Sequence, residues 1–274
     1  MSEPETLFAA AAAVLETAAP EAKVAAALKA DELWRVGAPL GAPHPPPDRP
    51  ARPDAPPLVP PGDTPRRRFG SPEGRAILLH AIAHIEFNAI DLAFDMALRF
   101  APAMAEEGLD ADAFAADWVR IGGEEARHFR MVDARLAELE CRYGDFPAHD
   151  GLWEAAETTR HDTLARLAVA PLILEARGLD VTPEMIKRLK AVGDGRSVSV
   201  LEVIYREEVG HVACGKRWFD ALAAARGLEP EAAFRDLTRR YFPGRLKPPF
   251  NHEARANAGL SREFYEPIGN ETRV

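Results

Sequence analysis

The sequence predicts an all-α protein organised around a bundle of four long helices. Three observations carry this expectation. Alanine and leucine are abundant and runs of β-branched residues are scarce, which favours helix over strand. Apolar residues recur at steps of three and four along four long stretches, the period of a helix with one core-facing side. Capping and stop signals punctuate those stretches, such as Ser71-Pro72 at a start and Gly178 and Gly227 at ends.

Residues 1–38 read as an N-terminal appendage of two short amphipathic helices, broken near Pro20, that only pack. Residues 39–70 form a proline-rich arm, which excludes helix or central strand. Its Leu40, Leu58 and Val59 call for cover against the bundle. Arg66-Arg67-Arg68 reads as a solvated run or an anchor to acidic helices. The bundle occupies 71–227. Its helices are expected over 71–99, ending before Pro102, then 110–142, 150–177 with a kink at Pro171 and a stop at Gly178, and 197–226. A short connecting helix should open at Thr182-Pro183. Helices of this length give a bundle roughly 40 Å long. Residues 228–274 supply a C-terminal helix over 230–241 and a tail with helical turns near His252 and Ser261.

Composition narrows the function. The 274 residues, 47% of them hydrophobic, suffice for a sizeable core. A net charge of −9 argues against extensive nucleic-acid binding or an anionic membrane surface. No apolar run of transmembrane length stands out, and the N-terminus lacks the basic start of a secretory signal. Cys141 and Cys214 make neither a disulfide framework nor a zinc cluster, so a cytoplasmic protein is expected. A homodimer is the default assembly.

The chemistry lies where acids interrupt apolar stripes. In the second long helix Trp118, Ile121, Val132 and Leu136 share a face with Glu125 and His128. In the fourth, Leu201, Ile204, Trp218 and Leu222 share one with Glu208 and His211. Glu86 interrupts the stripe Leu79, Ile82, Ala89, Ala93 of the first helix, and Glu175 is the only acid in the apolar run 167–176 of the third. A buried carboxylate without a partner is costly, and here four helices repeat that cost. Two divalent cations would balance four carboxylates, and one imidazole per metal completes the set. Carboxylate with imidazole suits iron or manganese better than calcium or magnesium. A lone Glu-x-x-His is a weak signal. Two of them alternating with two single buried acids are a strong one.

This arrangement resembles the di-iron carboxylate proteins of the ferritin-like superfamily, whose ligand set has the same order. Glu124-Glu125-Ala126-Arg127-His128 is similar to the acid-Glu-x-Arg-His motif of bacterial di-iron monooxygenases. With its proline-rich arm and tail, the whole chain resembles a bacterial ferritin-like domain family of unknown function. The resemblance implies metal ligation by Glu86, Glu125, His128, Glu175, Glu208 and His211. It also implies that Glu124 and Glu207 each hold a ligand histidine, with Arg127 in support. Gly210 stands where the motif often has arginine, leaving no salt bridge there. The cofactor implied is two iron ions, with manganese or a mixed pair as alternatives. The implied activity is oxygen activation, an oxidoreductase or hydroxylase acting with dioxygen on a small molecule or modified base. The substrate and electron donor stay open. Iron oxidation and storage, or a structural metal site, are the other readings.

Neighbouring residues receive plainer roles. His80 and His84 lie off the Glu86 stripe, and His161 is too far along the axis to ligate. Cys214 and Tyr205 read as packing residues. Gly122-Gly123 and Gly210, each costing about 1 kcal/mol against alanine in a helix, imply close helix approach or a bulge.

Overall fold

A computed structural model describes residues 5–269. Eleven α-helices follow in order among those residues: α1 (Leu7–Glu16), α2 (Pro20–Arg35), α3 (Pro72–Glu106), α4 (Ala111–Glu138), α5 (Gly151–Thr158), α6 (Thr163–Val169), α7 (Ala176–Ala191), α8 (Gly195–Ala225), α9 (Pro230–Tyr241), α10 (His252–Asn257) and α11 (Arg262–Gly269). No strand occurs among the described residues, and the fold is all-α. The long helices start as their sequences dictate. Ser71 caps α3 by accepting from the Gly74 N–H at 3.1 Å, Asp110 caps α4 from Ala113 at 3.0 Å, and Asp194 caps α8 from Ser197 at 3.1 Å.

α3 packs antiparallel on α4, and α7 packs on α8. Contact between α4 and α8 joins these two hairpins. α1 and α2 lie on α3 and α4, and a single hydrophobic cluster runs from Leu7 to Ile268, so both ends of the chain share the core of the middle. α3 is also long and apolar enough to cross a membrane, contrary to expectation, but 83% of its apolar stretch is buried within the fold.

Proline and glycine behave differently from their local propensities. α3 continues through Pro102 to Glu106. The buried Phe100, Ala101 and Met104 hold this last turn against a proline cost of about 3 kcal/mol. The third long segment is not one helix. It breaks after α5, where Asp162 caps α6 by accepting from Leu164 at 3.1 Å. Pro171 then sits in a π-helical turn, Ala170–Glu175, because it cannot donate to the ladder and its ring crowds the carbonyl four residues back. Neither Gly178 nor Pro183 stops α7, and no separate connecting helix forms. Pro183 would leave the Leu179 carbonyl without its donor, and Asn251 Nδ2 supplies one at 3.2 Å. Leu179 and Leu189 are fully buried on either side of Pro183.

The arm lies against the body. Its Pro39 and Leu40 carbonyls accept the Leu7 and Phe8 N–H groups at 3.0 Å each, satisfying donors at the start of α1. Ala51 N–H donates to the Leu15 carbonyl at 2.7 Å, and Val59 N–H to Ala148 at 2.8 Å. Arg52 reaches Asn88 at 2.7 Å. Leu58, expected to need cover, is 51% exposed. Leu40 packs against the core and Val59 is half-buried, so backbone hydrogen bonds, Arg52 and part of the expected apolar cover together seat the arm.

Candidate metal centre

The two helical hairpins meet around a cluster of acids and imidazoles in the core. Glu86 comes from α3, Glu125 and His128 from α4, Glu175 from the end of the π-turn, and Glu208 and His211 from α8. His128 and His211 are fully buried, Glu125 is 1% exposed and Glu86 4%. Glu175 and the Glu208 side chain are largely covered, so none of the six lies on the outer surface. Each offering one atom, Glu86, Glu125, His128 and Glu208 gather within 4.8 Å of one another. This group could hold a metal ion.

Glu125 lies between the two histidines. Its Oε2 is 3.3 Å from His128 Nδ1, and its Oε1 is 2.9 Å from His211 Nδ1. Glu86 Oε2 is 3.2 Å from the same His128 nitrogen, and Glu208 Oε1 is 3.7 Å from His211 Nδ1. Both rings thus turn Nδ1 inward, with centroids 5.7 Å apart. The outward nitrogens are held across the hairpins. His128 Nε2 donates to Glu207 Oε2 at 2.9 Å, and His211 Nε2 donates to Glu124 Oε2 at 2.8 Å. Each acid before a Glu-x-x-His therefore holds the other motif's histidine.

The two halves differ in how those acids are fixed. Arg120 donates to both oxygens of Glu124, at 2.9 and 2.8 Å, one helical turn away. Arg127 stands 3.7 Å from Glu124 and also contacts Asp31 of α2 at 3.4 Å. Arg120 and Asp31 were not legible as parts of this site. The spacing of Arg120 to Glu124 is a signal sequence could have offered, but Asp31 is brought in by tertiary packing alone. Glu207 has no basic partner among the described residues, in keeping with Gly210 in place of arginine.

Three buried polar atoms here lack a hydrogen bond: Glu125 Oε1, Glu175 Oε2 and His211 Nδ1. Two of them are 2.9 Å apart yet misaligned for a hydrogen bond. Protonation reflects the crowding. Burial, then the Glu125 charge, pushes Glu86 well above the ordinary carboxyl range, against the hydrogen bond from His128. Burial, then Glu208, raises Glu175 to about 8. Burial would raise Glu125 too, but His211 and His128 outweigh it and hold this carboxyl below its usual range. Burial opposes charge on His128, yet Glu125 and Glu86 raise it to about 11. His211 is raised likewise, by Glu125 and then Glu208.

The glycines next to the cluster divide. A methyl group on Gly122 would come within 2.5 Å of the Phe94 ring, and one on Gly123 within 2.5 Å of Asp31, so both permit close approach. Gly210 faces open space and lies in regular helix, so neither close approach nor a bulge accounts for it. A methyl group on Gly215 would come within 2.4 Å of Pro171, so this glycine accommodates the π-turn, a role sequence did not signal.

Other residues lie apart from the cluster. His80 and His84 are buried, not on the surface. His80 Nε2 accepts from the Gly144 N–H at 2.9 Å, while His84 Nε2 donates to the His149 carbonyl at 3.1 Å. His161 is bonded to Tyr241 at 2.9 Å. Tyr205 accepts from Asn251 at 2.9 Å, and the buried Cys214, in no disulfide, accepts from Arg217 Nη2 at 3.7 Å.

A family model described as "Protein of unknown function (DUF455)" matches residues 16–266. The chain belongs to the DUF455 family. The match spans every helix that supplies the cluster, so the site is housed in the DUF455 fold itself. An "Uncharacterized protein" of Haemophilus influenzae (strain ATCC 51907 / DSM 11121 / KW20 / Rd) is 45% identical over 212 residues, covering 77% of this chain and 74% of that one. No solved structure matches this DUF455 protein.

Proposed function

We propose that the cluster holds two iron ions, or manganese in one or both places, and that the protein is an oxygen-activating oxidoreductase of ferritin-like type. The observation that carries this reading is the position of Glu125. Its two oxygens face two inward Nδ1 atoms from opposite hairpins, the arrangement of a carboxylate shared by two cations. The unsatisfied Glu125 Oε1, Glu175 Oε2 and His211 Nδ1 fit the same need for a partner other than a protein hydrogen bond. Imidazole with carboxylate is a donor set for iron or manganese.

In this reading Glu86, Glu125, His128, Glu175, Glu208 and His211 hold the metals. Reduced metals would supply the electrons for reduction of dioxygen. The protein's part is orientation and exclusion of water. Glu124 and Glu207 fix the Nε2 protons, which commits both Nδ1 lone pairs to the centre. Arg120 holds Glu124 in place through both of its oxygens. With divalent cations present the four carboxylates are balanced, and the imidazoles need no proton at Nδ1.

Anaerobic titration with ferrous iron, followed by exposure to oxygen, tests the reading. Saturation near two irons per chain, with oxygen consumption that Glu125→Ala abolishes, is the expected result. Uptake that continues far beyond two per chain would instead identify an iron store. Oxygen consumption equal in wild type and Glu125→Ala would end the proposal.

A further inference from the structure

A cavity of about 310 Å³ opens between α3 and the π-turn, under the end of the arm and the segment that leads into α5. It falls in the range of about 300–1,000 Å³ usual for small-molecule sites. Its apolar walls include Ile77 and Ile85 of α3, Leu152 of α5 and Leu174 of the π-turn. Ile85 is 43% exposed, although every other residue from Ile82 to Leu98 is buried. Ile85 thus presents apolar surface to the cavity from an otherwise buried stretch of α3.

The cavity and the cluster draw on the same two elements, although none of the six cluster residues lines the cavity. Ile85 immediately precedes Glu86, and Leu174 immediately precedes Glu175. Two walls of the cavity, one from each hairpin, are thus followed by two members of the cluster. No such opening is left at the Pro171 kink, which packs on Gly215, or at Gly122-Gly123, which pack on Phe94 and Asp31.

The charge of the lining is opposite to that of the chain. Net charge is −9, yet the cavity is bordered by Arg67 and Arg177 and by no acid among the described residues. Among the described residues Arg67 makes no hydrogen bond or ion pair, and Arg177 reaches Asp180 and the Lys247 and Pro249 carbonyls through Nη1, leaving its other nitrogens open to a ligand. His84 is already bonded at both ring nitrogens, to Tyr143 at 2.9 Å and to the His149 carbonyl at 3.1 Å, so it adds no charge-seeking group. We infer that this cavity binds a small amphipathic anion, an apolar chain or ring with a carboxylate or phosphate head group, with the head at Arg67 and Arg177 and the apolar body against Ile85 and Leu174. This inference deepens the function proposed above, because it makes that anion the substrate class of that metal centre.

Calorimetric titration of the metal-free full-length protein tests it, with octanoate, octyl phosphate, octanol and octylamine as probes. Octanoate or octyl phosphate should bind, and their relative affinity distinguishes carboxylate from phosphate. Octanol should bind at least tenfold more weakly, and octylamine not at all. Arg67→Glu should weaken the anion at least tenfold, and Ile85→Trp, which fills the cavity, should abolish binding. Both variants should keep the wild-type circular dichroism spectrum and urea unfolding midpoint, which shows them folded whether or not the centre binds metal. Failure of both anions to bind the wild type overturns the inference. So does equal binding of octylamine, or unchanged affinity in both variants. Anion binding in a protein that takes up no paired metal would sink the metal reading and leave the cavity's ligand class standing.

Discussion

Glu207 of α8 accepts the Nε2 proton of His128 of α4 at 2.9 Å, and it does so without a basic residue to hold it. Its counterpart Glu124 performs the same task for His211 under the grip of Arg120. Removal of the carboxylate from Glu207 should free the His128 ring to turn. Glu207→Ala is expected to weaken metal binding 10- to 100-fold, and Glu207→Gln, which still accepts at its amide oxygen, by less. Competitive chelator titrations of the two variants measure the difference. Equal losses would show that the charge, not the hydrogen bond, is what His128 needs.

Glu125 is the one residue that faces both histidines, so its loss should act on the whole centre. In Glu125→Ala the metal content is expected to fall well below two per chain, without stepwise retention of one tightly held ion. The helices should persist, because the apolar stripes of α4 are untouched. Metal analysis after desalting, beside circular dichroism, checks both halves. Full retention of one ion would assign Glu125 to a single metal.

The helical glycines separate packing from propensity. A methyl group at Gly122 meets the Phe94 ring, so Gly122→Ala should destabilise by about 1–3 kcal/mol. At Gly210 the same change meets nothing and should stabilise by up to about 1 kcal/mol. Urea unfolding midpoints of the two variants should therefore move in opposite directions.

His84 gives an acid-dependent term. Burial first, then the Arg52 charge, lowers it from 6.5 to about 4. The folded state binds this proton less readily than the unfolded one. The stability so gained is whole above about pH 6.5 and is lost as pH falls toward 4. Between pH 7 and pH 5 the wild type should lose up to about 2 kcal/mol more than His84→Gln, read from urea unfolding at each pH. Parallel losses would mean that His84 titrates normally in the folded protein.

Glu86, Glu125, His128, Glu175, Glu208 and His211 could be singled out from sequence because the signal is local. An ionisable side chain on an apolar helical stripe betrays its burial through the 3.6-residue period, whatever the helix packs on. The start at Ser71, the start of α4 at 110 and the span of α9 were legible for the same reason, since capping and periodicity involve residues a few positions apart, whereas α8 starts at Gly195 behind Asp194, two residues before the expected start. The structure alone decided what those side chains meet. Which acid holds which histidine depends on how α4 and α8 face each other, and the crossed pairing of Glu124 with His211 and Glu207 with His128 spans 87 and 79 residues. Pro183 could remain inside α7 only because Asn251, far along the chain, donates to the carbonyl it strands. Pro102 stayed helical because Phe100 and Met104 found a core. The cavity beside Ile85 has walls from four separate parts of the chain, and no period along any one of them records it. Local energies set where helices begin and which face is apolar. The mutual rotation of those helices, and every contact between distant residues, is set by packing the faces together at once.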